Sequence, residues 1–274
     1  RYDWPGVPYT IKEMPGPAAG DNTLEVHTGN LVVKVQKQPF RLSFHDSAGK
    51  LLVRQKSAPS KGGLGYAGSK VFETMDLPGD EHFFGFGAHN HPHDMRGHKM
   101  VCTATELQTK DPSGGFPVPF FVSTKGYGLF FNNLDDDVTF EMGTTEGQYS
   151  FSGTSGGMEG WDMDYYLIHG PKFEDILKRY TDIVGGPILP EKYFFGHIFM
   201  ECCAWNASDV EYMARRFRKD DWPCDVLIID CQAYNGIYPA PPEEWDDDKV
   251  SEEKLQRPLA NPDKGGLDWA DSFG

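Results

Sequence analysis

The segment LPEKYFFGHIFMECCAWNASDVEYMARRFRKDDWPCDVLIID, residues 189–230, carries the pattern of a strand, a helix and a second strand. Its aromatic and aliphatic run from Phe194 to Met200 is typical of a strand that is buried on both faces. A helix is predicted to begin next, because the Ser208 hydroxyl and the Glu211 carboxylate can each accept a hydrogen bond from an unpaired N–H group of the first turn.

The predicted helix has one apolar face and a defined end. Its apolar residues recur at helical spacing: Val210, Met213, Ala214 and Phe217. Pro223 ends the helix, since proline lacks an N–H group and disfavours a helical conformation in the residue before it. The apolar run between Asp225 and Asp230 then predicts a second, fully buried strand parallel to the first. We expect Asp225 itself to be structural.

Joined in this way, the strand, helix and strand form a right-handed crossover unit. Such units build (β/α)8 barrels, in which functional residues lie at the C-terminal ends of the strands. Asp230 is predicted to occupy that position. The 84 residues from Glu191 to Gly274 are fewer than the ~250 of a whole barrel. We therefore expect only the first β/α units of an incomplete (β/α)8 TIM barrel.

The region before this unit is predicted to be all-β, with short strands between glycine-rich turns. The predicted strands are Leu31–Val35, Phe40–Phe44, Leu51–Val53, Pro119–Ser123, Gly128–Asn132 and Tyr165–Ile168. Residues 55–70 and 143–160 are predicted to be loops, and a helix begins near Pro171. The expected organisation is a β-sandwich over residues 1–170, a linking helix over 171–187 and the start of the barrel over 188–274.

The composition excludes several classes of partner. The formal net charge of -15, from 26 basic and 41 acidic residues, is unfavourable for binding a nucleic-acid backbone or an anionic membrane surface. No apolar run approaches the ~20 residues of a membrane-spanning helix. The sequence begins at Arg1 with neither an initiator methionine nor a signal-peptide core. We therefore expect upstream processing or truncation, and a secreted or luminal mature chain rather than a cytoplasmic one.

Several segments form motifs in a fixed order. They are Pro39–Leu42, the FFGFGA run at Phe83–Ala88, Pro117–Ser123 followed by Gly126–Phe130, the barrel entry Gly185–Gly196, and Trp222–Asp230. Together they resemble glycoside hydrolase family 31, the family of α-glucosidases, α-xylosidases and related α-glycan enzymes. Ala88 stands where the FGFGE signature of that family usually has glutamate.

The resemblance implies a galactose-mutarotase-like β-sandwich before the barrel, in a retaining α-glycosidase that hydrolyses O-glycosyl bonds of α-glucosides or related α-glycans. The implied partners are an oligosaccharide or α-glycoside substrate and the remainder of the barrel, on the same polypeptide or another chain. No nucleic acid, membrane, cofactor or metal is implied. No residue matches the family's nucleophile or its acid/base, so we expect no catalytic residue in this chain. By position, Asp230 matches the family aspartate that binds sugar hydroxyls in the −1 subsite.

The candidate substrate-binding residues lie near the predicted strand ends or in a histidine-rich loop. The full set is Asp230, Met200, Cys231, Trp205, Tyr234 and His89. The tryptophan and the tyrosine are candidates for stacking on sugar rings. His89 belongs to a cluster with His91, His93 and His98, whose spacing matches no standard metal-ligand pattern. We interpret the cluster as a loop near the substrate mouth.

Two alternatives remain open for the function. An α-glycan transglycosylase would use the same site with a sugar as acceptor instead of water. A catalytically inactive carbohydrate-binding or structural protein would keep the sandwich without the chemistry, and Ala88 and Glu201 favour this alternative because they depart from the family pattern.

Overall fold

The structure, a computed structural model, describes residues 8–15, 23–57, 63–102, 115–133, 138–154, 163–201 and 207–229. These residues belong to two units, Arg1–Gly186 and Pro187–Gly274. The described part of the first unit consists of antiparallel sheets and a helix, and that of the second contains a parallel strand pair and a helix. No helix within these ranges is long and apolar enough to span a membrane.

The first sheet is an antiparallel meander of consecutive strands. They are β1 (Thr10–Met14), β2 (Thr23–His27), β3 (Leu31–Gln36), β4 (Arg41–Asp46) and β5 (Leu51–Arg54). The turn from β4 to β5 is held by Asp46, whose carboxylate accepts hydrogen bonds from the N–H groups of Ala48 and Lys50 (2.9 and 2.8 Å). Gly49 supplies the positive φ of 86° that this turn requires.

Two further sheets complete the described part of the first unit. Their strands are β6 (Gly65–Ala67), β7 (Lys70–Asp76), β8 (Phe83–Ala88), β9 (Lys99–Cys102), β10 (Phe116–Ser123), β11 (Tyr127–Phe131), β12 (Val138–Glu141), β13 (Gln148–Thr154) and β14 (Tyr165–His169). The second sheet has the strand order β14-β11-β10-β8 and the third has the order β6-β7-β13-β12-β9. The described pairings within them are antiparallel.

A hydrophobic core joins the three sheets of the first unit. Near its centre lies Phe121, whose ring makes edge contacts with Phe83, Phe140 and Tyr149 at centroid separations of 5.3, 6.1 and 5.8 Å. Each such pair adds about 1 kcal/mol to the gain from burial itself. Phe44 of β4 extends the same cluster into the first sheet. This cluster is the interior of the β-sandwich.

The helix α1 (Phe173–Val184) packs on the second sheet. Ile176 is fully buried, and the Tyr180 ring stacks on Phe120 with a centroid separation of 3.8 Å. Glu174 and Asp175 lie in the first turn, where negative charge is favourable beside the positive end of the helix dipole. A second, smaller core cluster forms at this contact from Phe120, Val122, Phe130, Ile168 and Ile176.

All six predicted strands of the sandwich are present, with ends that shift by a few residues. The predicted loops over residues 55–70 and 143–160 are partly wrong, because β6, the start of β7 and β13 lie within them. In β13, Tyr149 and Phe151 are buried and alternate with Ser150 and Ser152, and Gly153 occupies the next inward position. The stretch has a single β-branched residue, Thr154, so the residues by which strands are usually recognised are sparse in it.

The second unit contains the predicted strand, helix and strand. These are β15 (Ile198–Glu201), α2 (Ala207–Lys219) and β16 (Val226–Ile229), and the two strands pair in parallel. The first strand begins at Ile198 rather than at Phe194, because Lys192–Phe195 forms a single turn of 3-10 helix. Gly196 closes that turn by donating its N–H to the Tyr193 carbonyl (3.1 Å).

Burial in the second unit differs from the prediction. The second strand was expected to be fully buried, yet 43% of the Ile228 surface is exposed. Ile198 on β15 is exposed as well. Within the described residues, the pair stands as a two-stranded sheet. Apolar strands of this kind are normally covered on both faces.

Candidate substrate-binding site

The C-terminal ends of β15 and β16 lie side by side, as the parallel pairing requires. The register pairs Met200 with Ile228 and Glu201 with Ile229. Asp230 is the residue that follows the end of β16 in the sequence. Met200 is 57% exposed at this edge. The other predicted residues of the strand ends and their loops lie outside the described ranges: Asp230, Cys231, Trp205 and Tyr234.

Asp225 fixes the opposite end of the strand pair. Its backbone N–H donates to the His197 carbonyl (2.9 Å), and its carboxylate accepts a hydrogen bond from the His197 N–H (3.1 Å). A side chain at Gly196 would collide with this carboxylate, which explains the glycine. Asp225 therefore ties the starts of β15 and β16 together, and its predicted structural role is confirmed.

The helix α2 supports the strand pair through Phe217, a buried residue of its predicted apolar face. The Phe217 ring lies 5.1 Å from the Phe199 ring and 6.0 Å from the His197 ring, measured between centroids. From the last turn of the helix, the Arg218 guanidinium donates to the Cys224 carbonyl (3.1 Å). These contacts hold the crossover unit together and keep the two strand ends adjacent.

The histidine loop, residues 89–98, leads from β8 in the second sheet to β9 in the third. The rings of His89, His91 and His98 follow one another at centroid separations of 5.7 and 5.6 Å. His89 Nε2 lies 3.1 Å from the Gly85 carbonyl oxygen, and His89 Nδ1 lies 3.2 Å from the His91 backbone nitrogen. The structure thus brings three histidines together, with both ring nitrogens of His89 bonded to the backbone.

The base of the histidine loop is anchored to β8. The His82 ring contacts the Asp94 carboxylate at 2.6 Å. Fully buried Met95 donates its N–H to the Phe83 carbonyl (2.9 Å). Burial acts to raise the pKa of Asp94, but hydrogen bonds from the Arg96 N–H and the His82 ring outweigh it, so this pKa lies below its ordinary value. Asp94 therefore remains a carboxylate that attracts a protonated His82.

The FGFG run of β8 forms an arch just before the histidine loop. Gly85, Phe86 and Gly87 all have positive φ, at 130°, 64° and 75°. Phe86 is fully buried, and a bulky side chain rarely adopts this conformation. A Cβ on Gly87 would overlap the Phe116 carbonyl of β10. The close approach of β10 therefore requires glycine at positions 85 and 87. This requirement explains the two glycines of the FFGFGA motif.

Metal and thiol chemistry find little support among the described residues. Within those ranges, no three His, Cys, Asp or Glu side chains are grouped so as to hold a metal ion.

The free thiol of Cys102 lies at the end of β9. Burial raises the pKa of Cys102 to about 12, so the thiol stays protonated and is a poor nucleophile at neutral pH.

Two buried carboxyl groups were missed by the sequence analysis. The first, Glu73 on β7, accepts hydrogen bonds from the Gln55 amide (2.7 Å) and the Tyr165 hydroxyl (3.2 Å). Burial raises the pKa of Glu73 to about 7, against the opposing effect of both hydrogen bonds. The sequence signal for it is the alternation of Val71, Glu73 and Met75, which puts a glutamate at an inward position of a strand.

The second buried carboxyl group, Glu81, bridges two sheets. Its Oε1 accepts hydrogen bonds from the hydroxyls of Ser123 (2.5 Å) and Tyr127 (2.7 Å). The Tyr127 hydroxyl lies 3.0 Å from that of Tyr149. Burial raises the pKa of Glu81 as well. Because Tyr127 belongs to the second sheet and Tyr149 to the third, these groups form a polar link inside the sandwich and serve the fold.

Family and sequence comparisons agree with this architecture. Residues 7–138 match the family model described as the glycosyl hydrolase 31 N-terminal galactose mutarotase-like domain. Alpha-glucosidase 2 of Bacillus thermoamyloliquefaciens is 32% identical over 214 residues, which cover 74% of this chain and 26% of that protein. Isomaltosyltransferase of Sporosarcina globispora is 28% identical over 219 residues, which cover 76% of this chain and 20% of that protein. The chain thus spans about a quarter or less of these relatives.

Solved structures show the same fold. A family 31 dextranase of Flavobacterium johnsoniae, complexed with isomaltotriose, matches with a TM-score of 0.67 and 26% identity, over 81% of this chain and 26% of that chain. The cycloalternan-forming enzyme of Listeria monocytogenes, in complex with a pentasaccharide substrate, matches with a TM-score of 0.64 and 28% identity, over 79% of this chain and 20% of that chain.

Proposed function

Because this chain carries the N-terminal galactose mutarotase-like domain of glycosyl hydrolase family 31, we propose that it is the N-terminal part of a retaining α-glycosidase. The enzyme hydrolyses O-glycosyl bonds of α-glucosides or related α-glycans. The observation that carries this proposal is the match of residues 7–138 to that domain. Relatives named alpha-glucosidase and alpha-xylosidase support the same reaction class.

The second unit is proposed to be the opening of the (β/α)8 catalytic barrel. Its strand, helix and parallel strand have the order of a barrel repeat. The exposed apolar side chains of Ile198 and Ile228 support this proposal, because barrel strands are covered by neighbouring strands, by helices and by the packed barrel interior. The remaining strands come from further polypeptide, on the same chain or on a partner chain.

Asp230 is proposed to bind hydroxyl groups of the sugar in the −1 subsite. A carboxylate at the C-terminal end of a barrel strand accepts two charge-assisted O–H bonds. Met200 and Cys231 are proposed to line the same strand ends, and Trp205 and Tyr234 to stack on neighbouring sugar rings. The loop that carries His89 is proposed to border the substrate.

Under this proposal, the two catalytic carboxyl groups of the reaction are not among the residues of this chain. A retaining glycosidase uses two carboxyl groups about 5–5.5 Å apart, of which one attacks the anomeric carbon and the other protonates the leaving oxygen. The attack forms a covalent glycosyl-enzyme intermediate, and water then releases the sugar. Both carboxyl groups are proposed to lie on later barrel strands. Asp230 contributes by holding the sugar through hydrogen bonds that strengthen in the transition state.

The role of Asp230 is tested by Asp230→Asn in the full-length enzyme. The substitution weakens a hydrogen bond to the distorted sugar, so kcat/KM for an aryl α-glucoside should fall by about 100-fold. Asp225→Asn is the matched control at the other end of β16, because it keeps an acceptor for the His197 N–H and should retain near wild-type kcat/KM. Circular dichroism checks that both variants are folded. Equal kcat/KM for Asp230→Asn and wild type would remove this assignment.

A transglycosylase is the second candidate function, favoured by the relatives named isomaltosyltransferase and cycloalternan-forming enzyme. Both reactions begin with the same glycosyl-enzyme intermediate and differ in whether water or a sugar resolves it. Incubating the full-length enzyme with a malto-oligosaccharide and separating the products distinguishes them. Products longer than the substrate indicate transfer, and glucose with shortened chains indicates hydrolysis. An inactive carbohydrate-binding protein, the third candidate, would yield neither.

A further inference from the structure

The backbone partners of the His89 ring determine which of its nitrogens donates a hydrogen bond and which accepts one. The Gly85 carbonyl can only accept, so Nε2 of His89 must carry a hydrogen (3.1 Å). The His91 backbone N–H can only donate, so Nδ1 of His89 must be unprotonated (3.2 Å). Both bonds exist together only for the neutral ring in its Nε2–H tautomer.

We propose that His89 is a positioning residue, which as a neutral imidazole holds the tip of the histidine loop against β8, and that this part of the loop loosens in acid. The ring acts as a staple between the Gly85 carbonyl and the His91 N–H. Its effect on a bound sugar is exerted through the shape of the loop and not through its nitrogens. The effect on a bound sugar rests on the proposed function, whereas the staple itself does not.

The staple is connected to the sandwich core through the FGFG arch. The Gly85 carbonyl precedes Phe86, whose fully buried ring packs on Phe121 and Phe140 at centroid separations of 5.5 and 5.1 Å. The positive φ of Phe86 (64°) turns the chain at this point. The Gly85 carbonyl is therefore held in a rigid position. The His89 ring that bonds to it is held in place as well.

Protonation has opposite effects at the two ends of the loop. At the base, a protonated His82 is attracted by the Asp94 carboxylate at 2.6 Å. At the tip, a proton on Nδ1 of His89 removes the acceptor of the His91 N–H and puts two N–H groups against each other. The loop should therefore open at its tip in acid while its base stays closed.

The surroundings of His89 contain few other described charges. The His91 ring is 5.7 Å away, and the His98 ring lies beyond it, 5.6 Å from His91. On β10, the strand paired with this end of β8, Phe116 and Pro117 carry no titratable group. The charged groups of the loop base are His82, Asp94 and Arg96, and Lys99 begins β9. A proton on Nδ1 of His89 acts directly on the hydrogen bond from the His91 N–H.

The staple is tested by NMR hydrogen exchange of the His91 amide in the 274-residue chain. In His89→Gln, the side-chain N–H₂ lies near the former position of His89 Nε2, and no acceptor remains at the position of Nδ1. The His91 N–H loses one hydrogen bond, so the protection of this amide should fall about fivefold. His89→Asn keeps an acceptor near Nδ1 and should retain protection. His93→Ala, at an exposed position of the same loop, is the matched control. Equal His91 protection in all four proteins would overturn the proposal.

The wild-type chain gives a second test that needs no substitution. After correction for intrinsic exchange, His91 protection should be lower in acid than at mildly alkaline pH, because a proton on Nδ1 of His89 removes the acceptor of this N–H. The Met95 amide, bonded to the Phe83 carbonyl at the loop base, is the internal reference and should keep its protection. His91 protection that is independent of pH would overturn the proposal.

Kinetics of the full-length enzyme separate the staple from the proposed function. If the loop borders the substrate, His89→Gln should raise KM for an oligosaccharide several-fold more than it changes kcat, and His89→Asn should not. Lower His91 protection in His89→Gln with an unchanged KM would support the staple and contradict the substrate-side position of the loop. Unchanged protection would contradict the staple, whatever the kinetics.

Discussion

Glu73 is a carboxyl group in the sandwich core with neutral hydrogen-bond donors, Gln55 and Tyr165, as its bonded partners. Burial raises its pKa from 4.5 to about 7. Between these two values the folded state binds the proton and the unfolded state has released it, so unfolding loses a proton. The stabilisation is complete below about pH 4.5 and is lost as pH rises through about 7, and it amounts to about 3 kcal/mol.

The pH dependence of unfolding tests this account of Glu73. Between pH 4.5 and 7.5 we expect the wild-type Tm to fall and the Tm of Glu73→Gln to fall much less, since glutamine cannot ionise. Glu81, whose pKa burial also raises, adds to this fall, and His169, whose pKa burial lowers, opposes it. Glu25→Gln is the control, because hydrogen bonds from Lys34 and His27 lower the pKa of Glu25 and keep it ionised throughout. Parallel profiles for wild type and Glu73→Gln would contradict the assignment.

Single residues also show where sequence reasoning succeeds. Asp225 was expected to be structural, and it lies beside the start of β16, opposite the end at which barrels carry function. Glu73 and Glu81 were missed because their burial depends on which strands enclose them, and no local pattern near Glu81 reports this. The tautomer of His89 was equally hidden, since it depends on how the loop folds back on the Gly85 carbonyl.

Among the described elements, β8 has three consecutive residues with positive φ, of which Gly85 and Gly87 adopt it readily and Phe86 does not. Gly87→Ala should destabilise the chain by about 2 kcal/mol or more, because φ is +75° and the new Cβ would overlap the Phe116 carbonyl. Gly79→Ala is the matched control, since nothing lies within 4 Å of its Cβ position, and it should change stability by less than about 0.5 kcal/mol. Urea unfolding measures both. A Gly87→Ala chain as stable as Gly79→Ala would contradict the requirement for glycine.

The elements that were predicted correctly share strong local patterns. Helix α2 has an apolar stripe at helical spacing, although it begins at Ala207, one residue before the predicted capping residue Ser208, and β16 is an unbroken aliphatic run. The strands that were missed have weak ones. Tyr149 and Phe151 are the large apolar residues of β13, with Gly153 at its next inward position, and β6 is only three residues long. Both strands are stabilised by pairing with β7, which compensates for their low local strand propensity. Pairing of this kind cannot be recognised from a short stretch of sequence.

In the molecule as a whole, the two units differ in how completely they bury their strands. The sandwich encloses β10 and β11, whereas β15 and β16 leave Met200 and Ile228 exposed. By hydrogen exchange of the 274-residue chain, we expect the amides of β15 and β16 to exchange at least about tenfold faster than those of β10, because local openings of a poorly covered sheet cost less free energy.

The full-length enzyme is the matched comparison for that exchange experiment. There the added barrel strands should slow exchange in β15 and β16 to the rate of the sandwich strands. If β15 and β16 were as protected as β10 in the 274-residue chain, the strand pair would be a finished sheet. The proposal that it opens a barrel would then be wrong.

The central claim is that this chain is the N-terminal part of a retaining α-glycosidase. The most direct test is proton NMR of the full-length enzyme acting on an aryl α-glucoside, with the anomeric signals of the released sugar followed from the first minutes. Double displacement predicts that the α-anomer appears first and that the β-anomer grows in later by mutarotation. A β-anomer that appears first, or the absence of any released sugar, would contradict the account.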